Sequence, residues 1–331
     1  MKPSWIACLG LSAALSCHAA DLPVAPGMEV HSLAREFVAF WDGTQGWPEA
    51  ERVQAFKTQV GARFPEFYGV ARYAGSRTEA EHDEIIRRNI AVFGKQRQAY
   101  LDKVSQFDAD LPRHIATFTA AFPDFKPGVT TYFIHSLGEM DGGLREFGGR
   151  RYLVFGADGM VRYHGNGNEA AFFHHELFHV HHQAQAPDCD DSVLWQRLWT
   201  EGLATYVSKV LNPQANDREM LLDLPEGSAA RIRGQLDASL AQLEQVLDSG
   251  DDKQLGSLFH MNGASVDGLP PRRGYMLGYL VAQEIGKART PSQLASLSCA
   301  QARPLIKAAI AELKRQAAPA SGQLQTPSQA P

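Results

Sequence analysis

The sequence has no surplus of basic residues, few cysteines and, beyond its first twenty positions, no apolar run of membrane-spanning length. Lys and Arg number 32 against 37 Asp and Glu, a formal charge of −5 that gives no footing for a nucleic-acid partner. The lack of a later apolar span excludes an integral membrane segment from the mature chain. Of the 4 cysteines, Cys8 and Cys17 fall in the N-terminal stretch, so the remainder holds at most one disulfide, Cys189 to Cys299. Two unrelated small buried residues is the other reading of that pair. Disorder is excluded for most of the length, because 44% of residues are hydrophobic and 21% charged. A chain of 331 residues can bury the core of one large domain or two small ones.

Residues 1–20 read as a secretory signal. Lys2 supplies the positive end, WIACLGLSAAL an apolar core too short for a stable span, and SCHAAD a small-residue cleavage region cut after Ala19 or Ala20. A lipoprotein version acylated at Cys17 fits less well, since Ala14 and Leu15 match a lipidation site poorly. Either version exports the chain, to a periplasmic or secreted location. Removing Lys2 takes the charge from −5 to −6, with 31 basic against 37 acidic residues.

The pattern over 21–125 predicts a helical N-terminal region, with Ile86, Ile90, Phe93, Tyr100 and Val104 recurring at helical spacing as a core face. Short β-branched and aromatic runs, VTTYFIH and RYLVF, then predict a small sheet, and Asp158-Gly159 in GADGM predicts a hairpin turn before MVRYH. Helices return from 169. A core is expected over 126–250 and a helical C-terminal region over 251–315, where Thr290-Pro291-Ser292-Gln293 forms a capping box with proline at the first helical position. The tail, 316–331, has too little apolar surface to order itself. The expected class is α+β, mostly helical, with the sheet preceding a histidine-rich helix.

That helix holds FFHHELFHVHH, 172–182, with five of the chain's 12 histidines. Asn168 is its expected N-cap, and Phe173, Leu177 and Val180 its buried stripe. His175 and His179 are four apart, which sets both imidazoles on one face within reach of a single ion. Glu176 is the next residue round, close enough to an ion-bound water to take its proton without becoming a ligand. Downstream, Glu201 shares an inward helical face with Leu194, Leu198 and Thr205. A carboxylate there needs compensation, which a Zn2+ ion held with two imidazoles supplies. Three protein ligands leave one position for a water whose pKa falls to about 7, the arrangement of a catalytic rather than a structural site.

HHELFH followed by LWTEGLATYVS resembles the gluzincin metallopeptidases, in particular their aminopeptidase-like branch and exported zinc-dependent proteases. The likeness spans 170–210. It implies a zincin-like fold acting on a peptide or protein substrate, with His175, His179 and Glu201 as zinc ligands and Glu176 as general base and acid. It also implies a downstream oxyanion donor. Tyr275, beside Arg272 and Arg273, is the first candidate and Tyr279 the second, with Gly278 permitting close approach to a neighbouring element. Core packing of both rings is the other reading, and Tyr206 is expected to pack.

The aminopeptidase branch carries Gly-x-Met-Glu-Asn ahead of the zinc helix. Here GEMDGG puts Asp141 in the glutamate's place and Gly142 in the asparagine's, a loose match that also reads as a turn. An exposed strand near GGRRYLVFG would instead align an extended peptide, as an endopeptidase requires, so both modes stay open. His182 falls on the ion-facing side as a supporting group, whereas His174 and His181 are expected at the solvated rim. Thr205 either orients a ligand or packs, and Asp188, Asp190 and Asp191 form a solvated acidic turn or a calcium loop. Two other functions fit the same residues: a periplasmic zinc-binding or scavenging protein, suggested by the surplus of histidine, and a noncatalytic peptide-binding module.

Overall fold

The computed structural model describes residues 28–189 and 191–317. The signal segment, Cys17, Asp190 and the tail from 318 onward lie outside the described residues. The described residues are mostly helical (61%) and carry one small sheet, the α+β class. No described helix is long and apolar enough to cross a membrane.

The sheet has four strands, β1 (Val30–Ser32), β2 (Thr130–Ile134), β3 (Gly142–Phe147) and β4 (Arg150–Gly156), in the order β1-β2-β4-β3. β1 and β4 run parallel to β2, and β3 runs antiparallel to β4. VTTYFIH and RYLVF therefore become adjacent parallel strands. Residues 152–156 of β4 are all buried, as a strand covered on both faces requires. β1 was not anticipated within the N-terminal helical pattern.

Among the described residues five α-helices precede β2: α1 (Ala34–Gly43), α2 (Glu49–Gln59), α3 (Pro65–Tyr68), α4 (Glu79–Phe93) and α5 (Arg97–Ala121). The stripe Ile86, Ile90, Phe93, Tyr100 and Val104 is buried throughout, although it belongs to two helices separated at Gly94. On one sheet face Phe107 of α5 stacks on Phe133 at 3.8 Å, and on the other Phe64 stacks on Tyr132 at 3.8 Å.

Asp158-Gly159 does not make a hairpin. β4 runs directly into α6 (Ala157–His164), with Asp158 and Gly159 inside it. The Asp158 carboxylate accepts the N–H of Ser136 at 2.6 Å and of Gly138 at 2.7 Å, clamping the segment that leads to β3. A Cβ at Gly159 would lie 2.1 Å from the Met140 carbonyl oxygen, so glycine serves close packing here rather than a turn.

The helices α7 (Ala170–Gln185) and α8 (Leu194–Leu211) follow, then α9 (Ser228–Gly234), α10 (Leu236–Val246), α11 (Asp252–Phe259), α12 (Gly274–Gly286), α13 (Pro291–Ala295) and α14 (Cys299–Ala317). The capping box at Thr290 and Gln293 is formed, with Pro291 in the first turn. α14 runs two residues into the stretch expected to be tail. Cys189 and Cys299 are disulfide-bonded with their Cα atoms 5.5 Å apart, tying the α7–α8 connection to α14. α8 and α12 cross backbone to backbone at two glycines: a Cβ on Gly202 would lie 2.3 Å from the Gly278 carbonyl carbon.

Candidate metal centre

α7 is placed from both ends of its apolar face. Phe173 packs 5.3 Å from Phe155 of β4 and stacks 4.8 Å from His114 of α5, while Leu177 is fully buried. Its N-terminus is held by a buried ion pair, Lys103 to Glu169 at 2.6 Å, and Lys103 also donates to the Gly165 carbonyl at 2.8 Å. Glu169, not Asn168, is the N-cap residue, because the Lys103 ammonium fixes it there; Asn168 still accepts the Ala170 N–H at 3.0 Å.

This placement turns His175 and His179 toward α8. Their Nε2 atoms are 3.0 Å apart, and a Glu201 carboxylate oxygen lies 3.2 Å from the first and 3.4 Å from the second. Ligands about 2.0–2.1 Å from a tetrahedral ion are about 3.3 Å from one another, so the three separations have the size of one face of such a site. Among the described residues these are the only three His, Cys, Asp or Glu side chains grouped this way. The donor set of two imidazole nitrogens and one carboxylate oxygen suits zinc. Their side chains keep 16%, 16% and 19% exposure, which leaves the cluster open to the cleft.

Within the cluster the charges compensate one another. Burial alone would raise the Glu201 carboxyl, but the His179 and His175 imidazoles hold it well below the usual range. Burial likewise opposes a proton on His179, and Glu201 overrides it, raising that imidazole to about 9. Thr205 donates its hydroxyl to the Glu201 carbonyl at 2.8 Å and stands 3.5 Å from His175 Nδ1. A proton on Nδ1 directs the Nε2 lone pair at the cluster.

Glu176 is buried at the cleft floor with one carboxylate oxygen lacking any hydrogen-bond partner. Burial pushes its carboxyl above the usual range, His175 and His179 pull it back, and Glu201 and Asp141 add to the rise. Gly142 of β3 makes room beside it, since a Cβ there would lie 2.5 Å from the Phe172 ring and 3.3 Å from Glu176 Cγ. The cleft encloses about 360 Å³ and is also lined by Asp141, Arg145, Arg197, Arg272 and Tyr275.

Tyr275 comes from the first turn of α12, its ring centre 6.5 Å from that of His175. Burial, then Glu201, raise its phenol well above the usual range, so it stays a proton donor at neutral pH. Tyr279 donates nothing to the cluster and instead accepts from Gln283 at 3.1 Å. Tyr206 packs over Gly286, where a Cβ would lie 2.5 Å from its hydroxyl.

Other placements differ from expectation. His174 and His181 are buried at 2% and 3% exposure, not on a rim, because Phe118 of α5 and Phe122 just beyond its end cover that side of α7. His182 lines the cleft and stacks on Phe178, but its Nε2 has no hydrogen-bond partner. The acidic turn interlocks with its surroundings: Asp188 accepts the Cys299 N–H at 3.0 Å and Asp191 the Thr200 hydroxyl at 2.5 Å. GGRRYLVFG contributes the interior strand β4, and the edge strand at the cleft is β3. Asp141 is held by His164 at 3.0 Å, a pairing that sequence spacing did not disclose. Arg197 was also missed, although its position one turn before Glu201 on the same helix face was a usable signal.

No family model, curated protein or solved structure matches this chain.

Proposed function

We propose that the chain is an exported zinc-dependent peptidase of gluzincin type on a zincin-like fold, hydrolysing peptide bonds in the cleft between β3, α7, α8 and α12. The observation that carries this reading is the convergence of His175, His179 and Glu201 beside a buried, partly unpartnered Glu176. His175, His179 and Glu201 would hold the zinc, which when bound supplies Lewis acidity to a water and to a substrate carbonyl.

Glu176 takes the proton of the attacking water and returns it to the leaving amine. Its raised pKa, set first by burial, suits both transfers. Tyr275 donates its phenolic hydrogen toward the carbonyl oxygen as charge develops there. The free edge of β3 pairs with an extended peptide and aligns it along the cleft. The Cys189–Cys299 bond favours an oxidising compartment and hence export.

The storage reading has less motive, because His174 and His181 are core residues rather than a surface surplus. The test is peptide-library cleavage by the zinc-loaded mature chain beside Glu176→Gln. Turnover by the first and its loss in the second, with one zinc retained in both, is the expected result; equal turnover in both removes the mechanism.

A further inference from the structure

We infer that the cleft contains a carboxylate-binding subsite at Arg272, so that the substrate carries an anionic group within about three residues of the bond to be cut. This rests on the peptidase reading and specifies its substrate class.

Arg272 is a half-buried side chain at the cleft wall with an unusual backbone. It has φ 60°, and Leu221, whose carbonyl accepts from its guanidinium, has φ 54°. Residues with a Cβ adopt that region under strain, and such strain concentrates where surroundings hold a side chain for use. The guanidinium lies 4.2 Å over the Tyr275 ring, which lies 6.5 Å from the His175 ring. At about 3.3 Å per extended residue, those two steps reach no further than about three residues from the ligand cluster.

Arg272 forms no ion pair among the described residues; its side chain is committed only to the Leu221 carbonyl and the Tyr275 face. Two more arginines of the cleft are in the same condition. Arg145 donates to the Leu144 carbonyl at 2.9 Å, and Arg197 has a buried Nε with no partner. The fourth, Arg151, is paired with Glu146 at 3.4 Å.

No cleft carboxylate forms an ion pair with the other three among the described residues, and Glu176 is reserved for the attacking water. Asp141 faces Arg272 but accepts from His164 at 3.0 Å and from the Gly142 N–H at 3.0 Å; Asp191 accepts from Thr200, and Glu201 stands between two imidazoles. The wall therefore presents unpaired guanidinium groups, whose planar forks match a carboxylate. A peptide brings that chemistry in two forms, a free C-terminus or an Asp or Glu side chain.

The test uses the zinc-loaded Glu176→Gln chain, so that peptides bind without being cut, and titration calorimetry. Three acetylated peptides of one sequence are compared: a neutral one with an amidated end, the same with a free carboxyl end, and the amidated one with a single Gln replaced by Glu. One acidic peptide should bind about tenfold or more tightly than the neutral one, as charge-assisted bonding implies. Preference for the free end assigns the terminus, and preference for the internal Glu assigns a side chain. Arg272→Gln should bring the ratio near one, Arg272→Lys should keep part of it, and Arg145→Gln on the exposed edge strand should reduce it.

Equal binding of all three peptides overturns the subsite while leaving the peptidase reading in place, and that result needs no Arg272 variant. An undiminished ratio in a folded Arg272→Gln chain overturns the assignment to Arg272. Failure of every peptide to bind, together with no turnover by the wild type, overturns both readings.

Discussion

Replacing Lys103 by Met tests how the candidate metal helix is held. The Lys103 and Glu169 side chains retain 4% and 1% exposure, 2.6 Å apart, and the ammonium also satisfies the Gly165 carbonyl. Lys103→Met leaves a carboxylate buried without its counter-ion at the N-terminus of α7, which costs about 3–5 kcal/mol of stability. The double variant Lys103→Met/Glu169→Leu removes both charges. It should recover to within about 1 kcal/mol of wild type, because Glu169 provides no side-chain capping bond.

The pH dependence has a definite sign. Burial raises the Glu169 carboxyl above its ordinary value, and Lys103 restrains that rise. Without Lys103 the folded-state pKa climbs further. A folded pKa above the unfolded one favours the folded state at low pH, so the penalty is present above about pH 4.5 and fades as pH falls toward it. Urea unfolding of both variants and wild type at about pH 7.5 and about pH 5 reads this directly, with acid effects common to all three cancelling in the differences. A single-variant penalty below about 1 kcal/mol at the higher pH, or one that grows on acidification, refutes the reasoning.

Three further outcomes are expected. Gly202→Ala drives a Cβ to 2.3 Å from the Gly278 backbone, which should lower stability by about 1–3 kcal/mol in thermal unfolding and weaken zinc uptake by displacing Glu201; an unchanged melting temperature and zinc affinity would contradict the crossing described. Burial, then His174 and Arg113, depress the His114 imidazole to about 4, so its stability contribution is intact above about pH 6.5 and lost as pH falls toward 4, at no more than about 1.4 kcal/mol per pH unit. His114→Phe should flatten that slope in urea titrations, and an identical slope would remove His114 as its source. Tyr275→Phe should reduce peptide turnover while leaving zinc content at the wild-type value; undiminished turnover would end its role as donor.

The geometry of the His175, His179 and Glu201 cluster was legible because it is local. A spacing of four residues fixes the His175 and His179 faces, and the apolar periodicity of Leu194 and Leu198 fixes where Glu201 points. The Ile86 to Val104 stripe, the Gly278 close approach and the Thr290 capping box were legible for the same reason. What failed depended on partners distant in sequence. Asp158-Gly159 has the chemistry of a turn, but the N–H groups of Ser136 and Gly138 claim the carboxylate and Met140 the space. His174 and His181 look like solvated polar residues until Phe118 and Phe122 cover them. β1 is three residues long and is defined by its pairing with β2, which no local pattern announces. Asp141 becomes part of the cleft only because His164 returns beside it.

The most direct measurement is zinc stoichiometry and affinity in the folded chain, by equilibrium dialysis with elemental analysis, for wild type and Glu201→Gln. One tightly bound zinc per chain, with affinity reduced by a hundredfold or more in the variant on the order expected when a ligand is lost, is the predicted result. No stoichiometric uptake by wild type, or an affinity untouched in Glu201→Gln, would contradict the assignment of His175, His179 and Glu201 as a metal site.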